Sequence, residues 1–252
     1  MDGRKLKLVE SPAVAELKGV TKFFDRVCAL DDVSLTLPEG RIIGLTGSNG
    51  SGKTTLLKIM AGFYADYQGS VTIDGFKPGA ETKAMVAYLP DKDGLPRDME
   101  VSEMIRLYST FFDDFDEEKC RSLLGMFEIK ENSMPKEMSK GVIDKLQVSL
   151  LMSRRARLYL LDEPIGGVDI EAREHVLDLI FDNFNPKGTM LIVTHLVHDI
   201  ERLFDSVIVL KKGKVAAFEE ADALRAQKGG SLEEALKEIF RGEPESLGGG
   251  RI

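Results

Sequence analysis

Gly47-Ser48-Asn49-Gly50-Ser51-Gly52-Lys53-Thr54 has the form G-x-x-x-x-G-K-T. It lies between the apolar run Ile42-Ile43-Gly44-Leu45 and the segment Thr55-Leu56-Leu57-Lys58-Ile59-Met60. The order predicts a buried strand, a glycine-rich loop and the start of a helix. Such a loop curls its backbone N–H groups around a triphosphate, and the helix N-terminus adds the positive end of its dipole. Gly47, Ser48, Asn49, Gly50, Ser51, Gly52, Lys53, Thr54 and Thr55 are therefore candidates for holding phosphate. Lys53 reaches toward the β- and γ-phosphates, and the Thr54 hydroxyl is a ligand for Mg²⁺. The strand–loop–helix context separates this stretch from a chance glycine-rich turn and predicts a nucleoside-triphosphate site.

A second stretch completes that chemistry. Leu158-Tyr159-Leu160-Leu161-Asp162-Glu163-Pro164 lifts two carboxylates to the end of an apolar strand. Ligands in α/β sheets bind beyond such carboxyl ends. Asp162 is expected to hold Mg²⁺ directly or through water, and Glu163 to polarise the water that attacks the γ-phosphate. Phosphoryl transfer needs positioning and charge neutralisation more than covalent chemistry, so a few such groups suffice.

Outward from these motifs, short strands are expected at Val14–Leu17, Val33–Leu37 and Val71–Gly75, and a buried strand over Ala84–Leu89. From Val101 to about Arg155 the apolar spacing turns helical. Leu158–Leu161 and Met190–Val193 read as central parallel strands, and Val207–Phe218 as a hairpin. The expected fold is α/β: a P-loop NTPase (RecA-like) core, a small antiparallel β subdomain and an inserted α-helical subdomain. Residues 1–218 form the ATPase domain in this reading, with the helical subdomain at about 92–155. Residues 219–252 form a C-terminal helical extension and flexible tail. The acidic run Asp113 to Glu118 reads as a solvated helix start.

The net charge is -8, which argues against nucleic acid held on a broad basic surface. Cys28 and Cys120 are isolated, so a reduced cytosolic protein with inert thiols is expected. The N-terminus lacks the apolar core of a signal peptide, and no run reaches the roughly 18 to 20 apolar residues that span a bilayer. Work at a membrane would need another chain to cross it.

The order of motifs resembles the ATP-binding cassette (ABC) ATPases that drive membrane transporters. The phosphate loop is followed by Met138-Ser139-Lys140-Gly141-Val142, similar to the family's L-S-G-G-Q signature. Asp162-Glu163-Pro164 comes next, with Gly167-Val168-Asp169 at the D-loop position, then His195 at that of the switch histidine. Phe24 falls where an aromatic stacks on adenine. The resemblance runs from about Val14 to Phe218. It implies ATP and Mg²⁺ as cofactors, Glu163, His195 and Lys53 as catalytic residues, and Ser139 and Gly141 as contacts to a nucleotide across a dimer. The implied partners are transmembrane permease subunits and a second ABC ATPase chain, in a homodimer or heterodimer at the cytoplasmic face of the membrane. Phe111-Phe112-Asp113-Asp114-Phe115, Met138–Gly141 and Gly166–Asp169 look like the branch of small bacterial exporters with separate membrane subunits.

Two departures stand out. Asp91 replaces the glutamine that contacts Mg²⁺ and water in the family, and Lys140 and Val142 replace a glycine and a glutamine of the signature. Asp91, following Leu89-Pro90 at the end of a core strand, is expected to be a metal- or water-linked residue; an acidic residue also occurs there in related exporters, so loss of function does not follow. The alternative function is a soluble ABC ATPase acting in DNA repair or translation. Those relatives carry a long coiled coil, zinc cysteines or two cassettes in one chain, and this sequence shows none of these.

Overall fold

The computed structural model describes residues 12–91, 94–166, 170–195, 197–227 and 231–241. The D-loop candidates Gly167, Val168 and Asp169 and the tail after 241 lie outside the described residues.

Strands β1 (Ala13–Phe24) and β2 (Val27–Pro38) form a long antiparallel hairpin, joined on the other side of β1 by β4 (Gln68–Ile73). This is the expected small antiparallel sheet, but its first two strands are much longer than Val14–Leu17 and Val33–Leu37. Only those cores show apolar alternation. Backbone pairing nevertheless continues to Phe24↔Val27 through polar residues and several register shifts.

The second sheet has the order β5-β6-β7-β3-β8-β9. It comprises β3 (Ile42–Thr46), β5 (Val86–Leu89), β6 (Leu158–Asp162), β7 (Thr189–Val193), β8 (Ser206–Lys211) and β9 (Lys214–Glu220). All neighbours are parallel except the β8–β9 hairpin. Every residue of β6 and β7 is buried, which explains why they read as continuous apolar runs rather than alternating ones.

Helix α1 (Lys53–Met60) starts at the phosphate loop and packs Leu56, Leu57, Ile59 and Met60 between the two sheets. Helix α2 (Ala80–Met85) overlaps the strand expected from Ala84. The Gly79 N–H donates to Thr82 Oγ1 at 2.8 Å, and the Lys83 N–H donates to the Gly79 carbonyl at 3.0 Å. These bonds close a helical turn, so the strand begins only at Val86.

Helices α3 (Val101–Phe111), α4 (Glu117–Met126) and α5 (Lys140–Met152) form the inserted helical region. Met104, Ile105, Cys120, Leu124, Leu146 and Leu150 make a core of their own there. Burial pushes the Cys120 thiol up to about 11, so it stays protonated and inert at neutral pH. The other face of the large sheet is covered by α5, α6 (Ile170–Asp182), α7 (Val197–Ile200), α8 (Ala221–Gln227) and α9 (Leu232–Arg241). Leu224, Leu232, Ala235 and Leu236 belong to that core, so the C-terminal helices are packed on the domain they follow.

The acidic run before α4 divides in two. Asp116 caps the helix as expected, accepting from the Lys119 N–H at 3.0 Å. Asp114 instead turns inward to the buried Arg154. Its carboxylate accepts from Nε at 2.9 Å and from a terminal nitrogen at 3.1 Å.

Candidate functional site

The strand register builds the site. Leu45 on β3 pairs with Val193 on β7, Val193 pairs with Asp162 on β6, and Leu161 pairs with Leu89 on β5. The carboxyl ends of four strands therefore finish level. The phosphate loop, His195, Glu163 and Asp91 all emerge within two residues of that line. A cleft of about 440 Å³ opens there, lined by Val27, Ala29, Asn49, Gly50, Gly52, Lys53, Thr54, Thr55, Asp91, Asp162, Glu163 and Val193. Residues far apart in the sequence are thus brought around one cavity by backbone pairing.

The loop itself tolerates no side chain at two positions. A Cβ on Gly47 would sit 2.3 Å from the Leu210 carbonyl oxygen and 2.5 Å from Ser51 Oγ. Gly52 has φ +105 and would press a Cβ to 2.4 Å from the Ala29 carbonyl oxygen. Lys53 Nζ lies along the loop, donating to the Gly47 carbonyl at 2.8 Å and the Ser48 carbonyl at 3.2 Å. Partial burial lowers its pKa, against the raising effect of the Glu163 and Asp162 charges.

Asp162 is buried at the end of β6, and burial raises its pKa from the usual carboxylate value. A hydrogen bond from Thr54 opposes the rise, while the charges of Asp91 and Glu163 add to it. One Asp162 carboxylate oxygen and Ser51 Oγ are buried without a partner. A desolvated acceptor beside a threonine hydroxyl, facing an open cleft, fits a hard cation. Mg²⁺ takes one or two such protein oxygens together with phosphate oxygens.

Glu163 has φ +54, an uncommon backbone state for a non-glycine residue. Its N–H donates to the Val193 carbonyl at 2.9 Å, and its carbonyl accepts from the Gly166 N–H at 3.0 Å. Its carboxylate is 2.9 Å from His195 Nδ1 and accepts from the His195 backbone N–H at 3.3 Å. Glu163 is mostly buried and lines the cleft, while the His195 side chain is 63% exposed. A carboxylate and an imidazole in hydrogen-bond contact are groups able to take up and release protons.

Among the family's sequence motifs, the signature stands apart. Ser139 is the N-cap of α5, its carbonyl accepting from the Val142 and Ile143 N–H groups at 3.1 Å each. Neither Ser139 nor Gly141 lines the cleft. Lys140 instead borders a small cavity with Asp91, Asp144 and Glu163. Phe24 is also outside the cleft lining, one strand pair away, opposite Val27. Its ring meets Tyr64 edge-on at 5.3 Å. His175 and His198 are exposed on their helices. The walls Val27, Ala29 and Val193 were not legible as site residues. Only their position after Phe24, or before His195, hinted at it.

The profile of the ABC transporter family matches residues 30–166, more than half of the chain. The chain belongs to the ABC transporter ATP-binding family. An uncharacterized ABC transporter ATP-binding protein of Methanocaldococcus jannaschii is 34% identical over 208 residues, covering 81% of this cassette and 76% of that protein. The ABC transporter ATP-binding protein YtrB of Bacillus subtilis is 30% identical, covering 84% and 74%. Relatives named for both directions of transport are similarly distant. The Nod factor export ATP-binding protein I of Rhizobium johnstonii is 28% identical (94% of this chain, 78% of that protein). The xylose import ATP-binding protein XylG of Yersinia pseudotuberculosis is 27% identical (94% and 50%). A solved ATP-binding subunit of an ABC transporter superposes on the cassette with a TM-score of 0.82 at 27% identity, covering 90% of this chain and 99% of the other. The P-loop NTPase fold expected from the motifs is thereby shown. Among the described residues, no helix of the cassette is long and apolar enough to cross a membrane.

Proposed function

We propose that this cassette is the ATP-hydrolysing motor subunit of a transporter, an exporter, working as a head-to-tail dimer with separate transmembrane subunits at the cytoplasmic face of the membrane. The observation that carries the reading is the Glu163–His195 pair, held at 2.9 Å beside the cleft that Lys53, Thr54 and Asp162 line. Lys53 and the loop amides bind and orient the phosphates. Thr54 and Asp162, with Asp91 beside them, would hold Mg²⁺, which when bound would supply charge neutralisation at the phosphates. Glu163 accepts the proton of the attacking water, and His195 positions the γ-phosphate side of the cleft.

The dimer is supported by the place of the signature. Ser139 and Gly141 sit at a helix N-terminus suited to anions, yet outside the chain's own cleft, so a second chain's nucleotide is their partner. The membrane subunits are supported by a second cleft, of about 640 Å³, between the core and the helical region. Phe63, Tyr64, Tyr88, Leu95, Tyr108 and Leu151 line much of it, and Phe63 is well exposed. An aromatic groove beside Leu89-Pro90 fits a short helix offered by a permease. Export is proposed on the resemblance of Phe111–Phe115 and Met138–Gly141 to the exporter branch.

Glu163→Gln tests the motor. The variant should keep ATP affinity and lose turnover by roughly a hundredfold or more in a steady-state phosphate-release assay. Wild-type turnover in the variant would remove Glu163 as the base, and a wild-type chain that binds ATP but never releases phosphate would overturn the motor reading.

A further inference from the structure

A lysine is almost never fully buried unless its charge is matched, and Lys22 near the end of β1 is only 2% exposed. Its ammonium donates to the Asp66 carboxylate at 2.5 Å and to the Asp66 backbone carbonyl at 2.9 Å. Two aromatic rings complete its surroundings. The nitrogen lies 4.7 Å from the centroid of Phe24 and 5.5 Å from that of Tyr64. Asp66 itself is exposed, its carboxyl held below the usual range chiefly by the hydrogen bond from Lys22.

The place of this cluster gives it a role. Phe24 pairs with Val27 across the hairpin turn, and Val27 lines the phosphate cleft. Asp66 follows α1, the helix that begins at Lys53. The Lys22–Asp66 tie therefore joins the end of β1 that carries Phe24 to the segment between α1 and β4. With the cation over one ring face and Tyr64 at the edge, Phe24 still leaves 39% of its surface open. A cation on one face draws π-density toward itself, so a purine on the other face meets less quadrupole repulsion. The tie also removes the rotamer freedom that a lone exposed phenylalanine would lose on binding.

We propose that Lys22 is a positioning residue of the nucleotide site, tethered by Asp66 to hold and polarise Phe24 as the platform for the base. This rests on the reading that Phe24 stacks on adenine.

The experiment is calorimetric titration of the full chain with Mg²⁺-ATP and, separately, with Mg²⁺-tripolyphosphate, which has no base. Lys22→Met keeps the stem and removes the charge. The Lys22–Phe24 contact exists before ATP binds, so only its effect on base stacking counts; the variant should weaken ATP binding several-fold, up to about tenfold, and leave tripolyphosphate within about twofold. Lys22→Arg should recover part of the loss. Phe24→Ala should weaken ATP, and not tripolyphosphate, by at least as much. If Phe24→Ala binds ATP like wild type, the platform reading fails, and the inference with it. If Phe24→Ala loses ATP affinity while Lys22→Met keeps it, the platform stands and the inference is overturned. Equal loss of both ligands in Lys22→Met would make Lys22 a general structural pair and also overturns it. Should Lys22→Met not fold, Asp66→Ala carries the test from the protein surface. It should weaken ATP several-fold with tripolyphosphate unchanged, and ATP affinity equal to wild type would overturn the tether.

Discussion

Asp162 shows how a single residue trades stability for chemistry. Burial raises its pKa above the unfolded value of 3.8, so the folded chain holds the carboxyl proton more tightly than the unfolded chain does. Below both values the group is neutral in each state and costs nothing. As pH rises, the unfolded chain ionises first, and the folded state loses stability until the higher folded pKa is passed. Asp162→Asn should therefore raise the melting temperature of the nucleotide-free protein by a few degrees, while abolishing Mg²⁺-dependent turnover. A melting temperature that falls would show that the carboxylate is better satisfied than its buried oxygen indicates. Glu163 makes a similar trade through its backbone. A φ of +54 at a non-glycine residue persists because the Val193 carbonyl and His195 hold it there.

At the scale of elements, Arg154 ties the helical region to the sheet. It follows α5, stacks its guanidinium 3.8 Å from the Phe112 centroid, and binds Asp114 in the loop before α4. It also donates to the carbonyl of Val86, at the start of β5, at 2.7 Å and to that of Ala84, near the end of α2. Arg154→Ala strands the Asp114 carboxylate and two carbonyls. It should cost about 3 kcal/mol in urea unfolding, with Arg154→Lys recovering only part, because an ammonium cannot match the planar fork. A loss under about 1 kcal/mol would place the link on the surface scale of ion pairs. Helix α2 belongs to the same lesson. Its six residues are too few for a periodic apolar stripe to separate them from the strand that follows, and the reciprocal Gly79–Thr82 contacts decide the matter.

At the scale of the whole molecule, the proposed function assigns one cleft to the nucleotide and the other to a partner. Phe63→Asp places a charge in the aromatic groove, away from the residues that line the phosphate cleft. It should abolish co-purification with the permease subunits and leave the ATP affinity of the isolated chain unchanged; retained co-purification would move the docking site elsewhere. Ser139→Ala should leave that affinity unchanged too, yet lower turnover at least tenfold once chains associate, as for the loss of one donor to a developing charge. An effect on ATP affinity in the monomer would return the signature to its own chain's site.

Chemistry set within a few consecutive residues was legible without a structure. The phosphate loop Gly47–Thr54 and the paired acids Asp162–Glu163 stood out by residue type and spacing as site candidates, and the fully buried strands β6 and β7 show as unbroken apolar runs. Resemblance of the ordered motifs supplied His195, Phe24 and the signature. Tertiary structure alone decided which of these share a cavity. The register Leu45↔Val193↔Asp162 levels the strand ends and draws Glu163 onto His195, while Ser139 and Gly141 stay outside the cleft. The same holds for the ammonium of Lys22 beneath Phe24 and the turn of Asp114 toward Arg154. Both bury a charged side chain through the way separate elements pack, which no local periodicity encodes.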